Sequence, residues 1–241
     1  MLTKVAACQV PDIRENIDAS LEWIERFTKQ AEEKDVLLVC FPECFLQGYL
    51  TDEQLAKKYA VSLTSVTFKT ILQRLTKYKP LIVFGLIEQD NGNLFNTAVV
   101  IKDGELLGKY RKTHLLDGER IFKAGSEYPV FQINGLKFGI NICYDTQFSE
   151  ATKNIAKQGA TLILCPSNNM MRYETAEKFK HSHHNMRIER VNETKVWLVS
   201  ADVMGERNGR ISYGPTSAIN PNGQVVEQVP LMETGMITIE I

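Results

Sequence analysis

Two kinds of strand signal share this chain, and few folds accommodate both. Val36-Leu-Leu-Val-Cys-Phe41 and Leu81-Ile-Val-Phe-Gly-Leu-Ile87 are continuous apolar runs of strand length, as expected of strands covered on both faces. Hairpin signals stand beside them: Asp90-Asn-Gly-Asn before Leu94 to Ile101, Asp103-Gly104 before Glu105 to Tyr110, and Asn134-Gly135 between Val130 to Ile133 and Leu136 to Ile142. Helical spacing fills the gaps. Ile17, Leu21, Ile24 and Phe27 mark an amphipathic helix within Ile13 to Lys34, after a strand from Thr3 to Val10 that Pro11-Asp12 ends. Further helices are predicted around Ser65 to Tyr78, from about Gln147 to Lys157, and as one long element from roughly Glu174 to Val191. Strands from Ala160 to Cys165 and from Val196 to Ala201 alternate with them. Two last strands flank Pro221-Asn-Gly223, and the chain closes with Met236 to Ile241. Alternation interrupted by hairpins excludes a simple barrel of repeats. It predicts an α/β fold, a two-layered or sandwiched mixed sheet with helices outside.

The chain has 241 residues, 44% hydrophobic and 24% charged, enough for one large core. It shows no repeat, low-complexity tract or linker, so residues 1–241 are expected to form a single domain. The formal net charge is -1 and no basic run concentrates positive charge, which argues against nucleic acid or an anionic membrane surface as partner. Small-molecule chemistry remains. The N-terminus lacks the apolar core of a signal peptide, and no apolar run approaches the roughly 20 residues of a membrane span, so a cytoplasmic location is expected. The cysteines, Cys8, Cys40, Cys44, Cys143 and Cys165, are odd in number and sit mostly in apolar runs, which suits a reducing compartment and no disulfides.

Three chemistry-bearing residues each follow a strand: Glu43 after Val36 to Phe41, Lys112 after the strand ending at Tyr110, and Cys143 after Leu136 to Ile142. A cysteine at a strand end projects into the crevice where α/β proteins hold ligands. Asp145-Thr146 just beyond it reads as the cap of a helix whose N-terminus would favour a thiolate. Cys143 is thus a nucleophile or a buried structural thiol, and Glu43 and Lys112 taken singly also read as solvated strand-end residues. Together, a thiol, a carboxylate and an ammonium make an acyl-transfer apparatus: the thiolate attacks, the carboxylate shuttles protons and the lysine holds the oxyanion.

Phe41-Pro-Glu43 with Gly48-Tyr49, Gly108-Lys-Tyr110-Arg-Lys112-Thr-His114-Leu115, Gly139-Ile-Asn-Ile-Cys143-Tyr144-Asp145 and Arg190-Val-Asn-Glu193-Thr-Lys-Val-Trp197 resemble, in order and interval, the nitrilase superfamily of carbon-nitrogen hydrolases. The similarity reaches Gly214-Pro-Thr-Ser217 and Asn220-Pro-Asn-Gly223, nearly the whole chain. The resemblance implies an α-β-β-α sandwich of two mixed sheets with helices on the outer faces, and a catalytic Glu, Lys and Cys at Glu43, Lys112 and Cys143. It adds a second glutamate at Glu119, which otherwise reads as a loop-surface carboxylate and is expected to position Lys112 and the substrate amide.

It further implies a hydrolase acting on a small linear amide or N-carbamyl compound through a cysteine acyl-enzyme, with no metal or organic cofactor, in a homodimer or larger homo-oligomer. Tyr144-Asp145 after the cysteine favours amides, because nitrilases proper more often carry Trp-Glu there. A nitrile hydrolase of the same fold and a non-catalytic binding or regulatory module are the alternatives. Gln147 and Ser149 stand where many relatives have arginine and proline, and Thr194 where asparagine is common, which weakens transfer of substrate identity. Tyr49, Tyr144 and Asn168 are the candidate substrate-binding residues, Asn168 reading equally as a helix cap. His181, His183 and His184 lack a completing ligand at metal spacing. The resemblance makes His114 a structural neighbour of Lys112 rather than the base of a Cys-His pair.

Overall fold

The computed structural model describes residues 2–241. In chain order, β1 (Lys4–Pro11) leads through α1 (Ile17–Glu33) to β2 (Leu38–Cys40). Helices α2 (Glu53–Tyr59) and α3 (Val66–Leu75) precede the meander of β3 (Leu81–Asp90), β4 (Asn93–Lys102) and β5 (Glu105–Arg111). The hairpin of β6 (Val130–Ile133) and β7 (Leu136–Ile140) leads to α4 (Ser149–Lys157), β8 (Leu162–Pro166), the short β9 (Met171–Arg172), α5 (Tyr173–Phe179), α6 (Asn185–Thr194) and β10 (Trp197–Ala201). The hairpin of β11 (Val203–Arg207) and β12 (Arg210–Tyr213), then β13 (Ser217–Ile219), β14 (Val225–Gln228) and β15 (Gly235–Glu240), complete the chain.

These strands build two mixed sheets. One runs β5-β4-β3-β2-β1-β11-β12-β9, with β15 also paired to β1, and the other runs β14-β13-β10-β8-β7-β6. β1, β2 and β3 are parallel neighbours, as are β7, β8 and β10. Antiparallel strands extend both parallel sets, and the positive φ that a two-residue hairpin turn demands falls on Asp103 and Gly104 and on Asn134 and Gly135.

Strand periodicity sorts the apolar residues into layers. In β1, Val5 and Ala7 join the core between the sheets, whereas Ala6, Cys8 and Val10 pack with Leu21, Ile24 and Phe27 of α1. In β8, Leu162 and Leu164 face the inter-sheet core, and Ile163 and Cys165 meet Ile155 of α4 and Val191 of α6. Both faces of each central strand are thus apolar for a reason, and the result is an α-β-β-α sandwich. The helices are set by local chemistry: Asn16 Oδ1 accepts from Ala19 N at 3.0 Å to start α1, and Ser65 Oγ accepts from Phe68 N at 3.1 Å to start α3.

The single helix predicted from Glu174 to Val191 is two. Ala176 of α5 packs with Ile211 and Tyr213 of β12 in the first sheet, whereas Val191 of α6 packs on the second. One straight rod cannot serve both, and the chain turns between Phe179 and Asn185. The helix predicted from Gln147 starts at Ser149 instead, because a 3-10 turn, Cys143–Gln147, comes first. All five cysteines are free. Among the described residues, no helix is long and apolar enough to cross a membrane.

Candidate active site

Glu43, Lys112 and Glu119 meet in the interior, each at most 1% exposed. The solvated readings of strand-end and loop residues therefore do not hold for any of them. Glu43 lies in a turn beyond β2 that rests on β3. Gly85 N donates to Pro42 O at 3.0 Å, and a Cβ at Gly85 would stand 2.3 Å from Cys44 N, so only glycine lets the turn sit so close. Lys112 follows β5 with its backbone held on both sides: its N–H donates to Asn96 O at 2.9 Å, and its carbonyl accepts from Gly125 N at 2.8 Å. Glu119 ends a 3-10 turn, Asp117–Glu119, in the loop beyond.

The side chains form a closed ring of two donors and two acceptors. Lys112 Nζ is 2.7 Å from Glu43 Oε1 and 2.9 Å from Glu119 Oε1. Asn96 Nδ2 donates to the same two oxygens, at 2.7 and 3.1 Å. Glu43 Oε2 accepts from Asn168 N at 3.0 Å, and Glu119 Oε2 from Leu116 N at 2.7 Å. Both lone pairs of Glu43 Oε1 are thereby occupied, while Oε2 keeps one without a donor among the described residues. Lys112 likewise spends two of its three N–H bonds on carboxylates and keeps the third.

Cys143 stands half-buried at the head of the turn after β7, with φ at 44°. Left-handed backbone at a non-glycine residue costs of order 1–3 kcal/mol and persists only where surroundings over-determine it. Here the determinant is Asp145, which is fully buried. Its Oδ2 accepts from Ile142 N at 2.8 Å and Tyr110 OH at 2.7 Å, and its Oδ1 from Thr113 N at 3.2 Å and His114 N at 2.8 Å. One carboxylate thus ties the cysteine turn to the segment carrying Lys112. Asp145 therefore caps the 3-10 turn through Ile142 N, and not α4, whose N-cap is Phe148. His114 bonds to Asp145 and to Glu150 and stacks on Phe148 with ring centroids 3.8 Å apart, which engages the ring away from the thiol.

Two carboxylates and one ammonium leave the ring one negative charge in excess, and the protonation states follow from that. Burial pushes Glu43 up to about 7; the Lys112 charge opposes this and the Glu119 charge adds to it. Burial pulls on Lys112 the other way, but the negative charges around it prevail and hold it above the ordinary lysine value. The Cys143 thiol is raised well above the usual range, by burial first and then by Glu43, with Lys112 opposing. This corrects the expectation of a thiolate favoured by a helix N-terminus: the resting group is a thiol, and it needs a base. Glu43, basic near neutrality, can be that base.

The three candidate substrate-binding residues are placed in different ways. Tyr49 packs in a cluster with Leu50, Ile87 and Phe122, and burial together with the charges of Glu43 and Glu119 raises its hydroxyl well above the usual range. Tyr144 is half-buried and meets Phe148 edge-on at 5.3 Å. Asn168 reaches Glu43 through its backbone, while its side chain accepts from Met170 N at 3.3 Å in a local turn, well before α5 begins. Beneath that loop, Asp202 accepts from Asn169 N at 3.0 Å, and Arg187 Nη2 donates to Ser167 Oγ at 3.0 Å. His184 is engaged with Gln228 at 3.0 Å. Among the described residues, no group of three or more His, Cys, Asp or Glu side chains gathers to hold a metal ion.

Sequence reasoning missed Asn96, and read Asp145 as a cap and as part of the motif after the cysteine, not as the tie to Thr113 and His114. Asn96 carried a signal: it is a polar residue inside the apolar run Leu94 to Ile101, and a buried amide must find partners. Its partners could not be named, because they come from distant segments.

A buried Glu-Lys-Glu ring beside a strand-end cysteine, in an α-β-β-α sandwich, defines a class of cysteine-bearing hydrolytic sites. Residues 4–241 match the carbon-nitrogen hydrolase family, and the chain belongs to it, within the nitrilase superfamily. It is similar to a nitrilase of Pyrococcus abyssi, 31% identical, with 100% of this chain and 90% of that protein covered. It is also similar to an (R)-stereoselective amidase of Pseudomonas sp., 29% identical, over 80% of this chain and 68% of that protein. In fold it is similar to an amidase from Nesterenkonia sp., with a TM-score of 0.85 at 24% identity, covering 99% of this chain and 90% of that one. A Glu-to-Gln mutant of the amidase from Nesterenkonia sp. AN1 shows the result of Michael addition of acrylamide at the active-site cysteine.

Proposed function

We propose that this carbon-nitrogen hydrolase cleaves a small linear amide or N-carbamyl compound through an acyl-enzyme on Cys143. The observation that supports this most is the buried, doubly bridged carboxylate pair: burial, with the charge of Glu119, gives Glu43 a basicity near neutrality, and the bridging leaves it one unoccupied lone pair. In acylation, Glu43 Oε2 takes the proton of the Cys143 thiol as sulfur bonds to the carbonyl carbon. The charge that develops on oxygen is met by the free N–H of Lys112 and by the N–H of Tyr144, which lies in the first turn of the 3-10 segment where backbone donors have no intrahelical partner. The carbon-nitrogen bond breaks as Glu43 returns the proton to the leaving nitrogen, and ammonia or an amine departs. Glu43 then takes a proton from water, the hydroxide attacks the thioester, and the acid leaves as sulfur regains its proton. Glu119 positions Lys112 and the substrate nitrogen in this scheme, and Tyr49, Tyr144 and the Asn168 loop shape the pocket.

Ammonia release from a panel of short amides, with and without iodoacetamide, tests the reading. Turnover that is abolished by the alkylating agent and absent in Cys143→Ala is expected; no release from any amide by the native enzyme, or release that survives in Cys143→Ala, overturns it. The similarity to a nitrilase supports nitriles as the second substrate class, so short nitriles form a parallel arm of the panel.

A further inference from the structure

Asn96 is the one uncharged member of the ring, and its placement is specific. It is 1% exposed in the middle of β4, and its Nδ2 donates to the two carboxylate oxygens that Lys112 also binds. Its Oδ1 is buried and meets no donor among the described residues. An orphaned buried carbonyl is costly, yet turning the amide over would set that oxygen against two carboxylates. The chain accepts the orphan and keeps both N–H bonds on the glutamates.

From this geometry we infer that Asn96 is a positioning residue that keeps Glu43 usable as the base, holding Oε1 occupied so that protons enter and leave at Oε2. A second ammonium at this place would also hold Oε1, but its charge would make Glu43 too weak a base. A residue with no donor would leave Glu43 and Glu119 facing each other with Lys112 alone between them. A neutral double donor does neither. The inference rests on the proposed role of Glu43, and it is separable from it because the state of Glu43 can be read without substrate.

The test compares Asn96→Ala and Asn96→Asp with the native enzyme in two ways: the pH dependence of Cys143 alkylation by iodoacetamide, and kcat and KM on whichever amide is turned over. Loss of a hydrogen bond to a charged group should move the acid limb of both profiles upward by about one to two pH units in Asn96→Ala. Asn96→Asp should be displaced further, since it puts a third carboxylate against the pair. The charged and titratable groups that act with Glu43 are Lys112, Glu119, Cys143, Cys44, Cys165 and Tyr49, and all are retained in the variants. At pH 7 the order of kcat should be Asn, then Ala, then Asp, with KM little changed. A packing role demands the order Asn, then Asp, then Ala, because Asp matches the shape of Asn and Ala leaves a cavity; that order, or acid limbs that do not move, overturns the inference. Asn96→Ser, which retains one donor, covers a failure of either variant to fold, and its limb should fall between native and Ala; an unmoved limb there counts against the inference equally. If the native enzyme turns over no amide but the alkylation limb still shifts, the substrate reading fails and the positioning role stands.

Discussion

Lys112→Ala removes the ammonium from between two carboxylates that are each at most 1% exposed. Asn96 alone then bridges Glu43 and Glu119. Breaking a buried ion pair on one side typically costs about 3–5 kcal/mol, because the remaining charge is left uncompensated. For a chain of this size about 2–4 °C of Tm accompanies each kcal/mol, so the melting temperature at pH 8 should fall by about 6–20 °C. The pH dependence distinguishes charge from cavity. Glu43 already sits up at about 7 through burial, with Lys112 the largest influence holding it down, and removing that influence raises it further. A carboxylate whose folded value exceeds its unfolded value of about 4.3 costs nothing below the unfolded value. The penalty grows as pH rises and is complete above the folded value. Lys112 itself, raised in the folded state, gives stability that is fully present throughout this range and lost only at alkaline pH. The deficit of the variant should therefore be present already at pH 5, through the lost contribution of Lys112, and grow to its largest at pH 8. Thermal melts followed by circular dichroism at pH 5, 6.5 and 8 measure it, with Lys112→Met filling the volume without the charge. Deficits that are independent of pH in both variants, or below about 2 °C at pH 8, would refute the reasoning. Turnover should fall by at least about 10²-fold in either variant, as for loss of an oxyanion donor.

The native enzyme should show kcat/KM rising with pH, because Glu43 must be ionised to accept a proton. With that group at about 7, the value at pH 5 should be about one-hundredth of the plateau, and initial rates that stay level down to pH 5 would exclude Glu43 as the titrating base. Brief iodoacetamide treatment followed by peptide mapping should label Cys143 ahead of Cys8, Cys40, Cys44 and Cys165, which are all 0% exposed; labelling led by any of those four would remove Cys143 from the nucleophile role. Glu43→Gln keeps shape but cannot accept a proton at Oε2, and should lower kcat by about 10²–10⁴-fold. Glu119→Gln should retain more activity than Glu43→Gln, and the opposite ranking in measured kcat would reverse the assignment of roles.

The apolar runs, the Asn-Gly and Asp-Gly turns and the helical spacing in the chain determined by themselves that mixed sheet would be covered by helices, because periodicity reports which faces of a segment are buried; the four-layer arrangement of two sheets came with the family resemblance. They also placed Glu43, Lys112 and Cys143 at strand ends, and the motifs around them carried the resemblance that added Glu119 and the family. Periodicity does not report what lies across a buried face. Asn96 bonds to Glu43 from 53 positions away, and Asp145 to Thr113 from 32; only the folded chain brings them together. The division between α5 and α6 arose the same way, from two sheets competing for one predicted helix. The resting state of the thiol was decided there too. A helix N-terminus after Cys143 is a local expectation that favours a thiolate, but burial and the charge of Glu43 outweigh it, since in a dry interior the nearest charges set the protonation of a group wherever in the chain they originate.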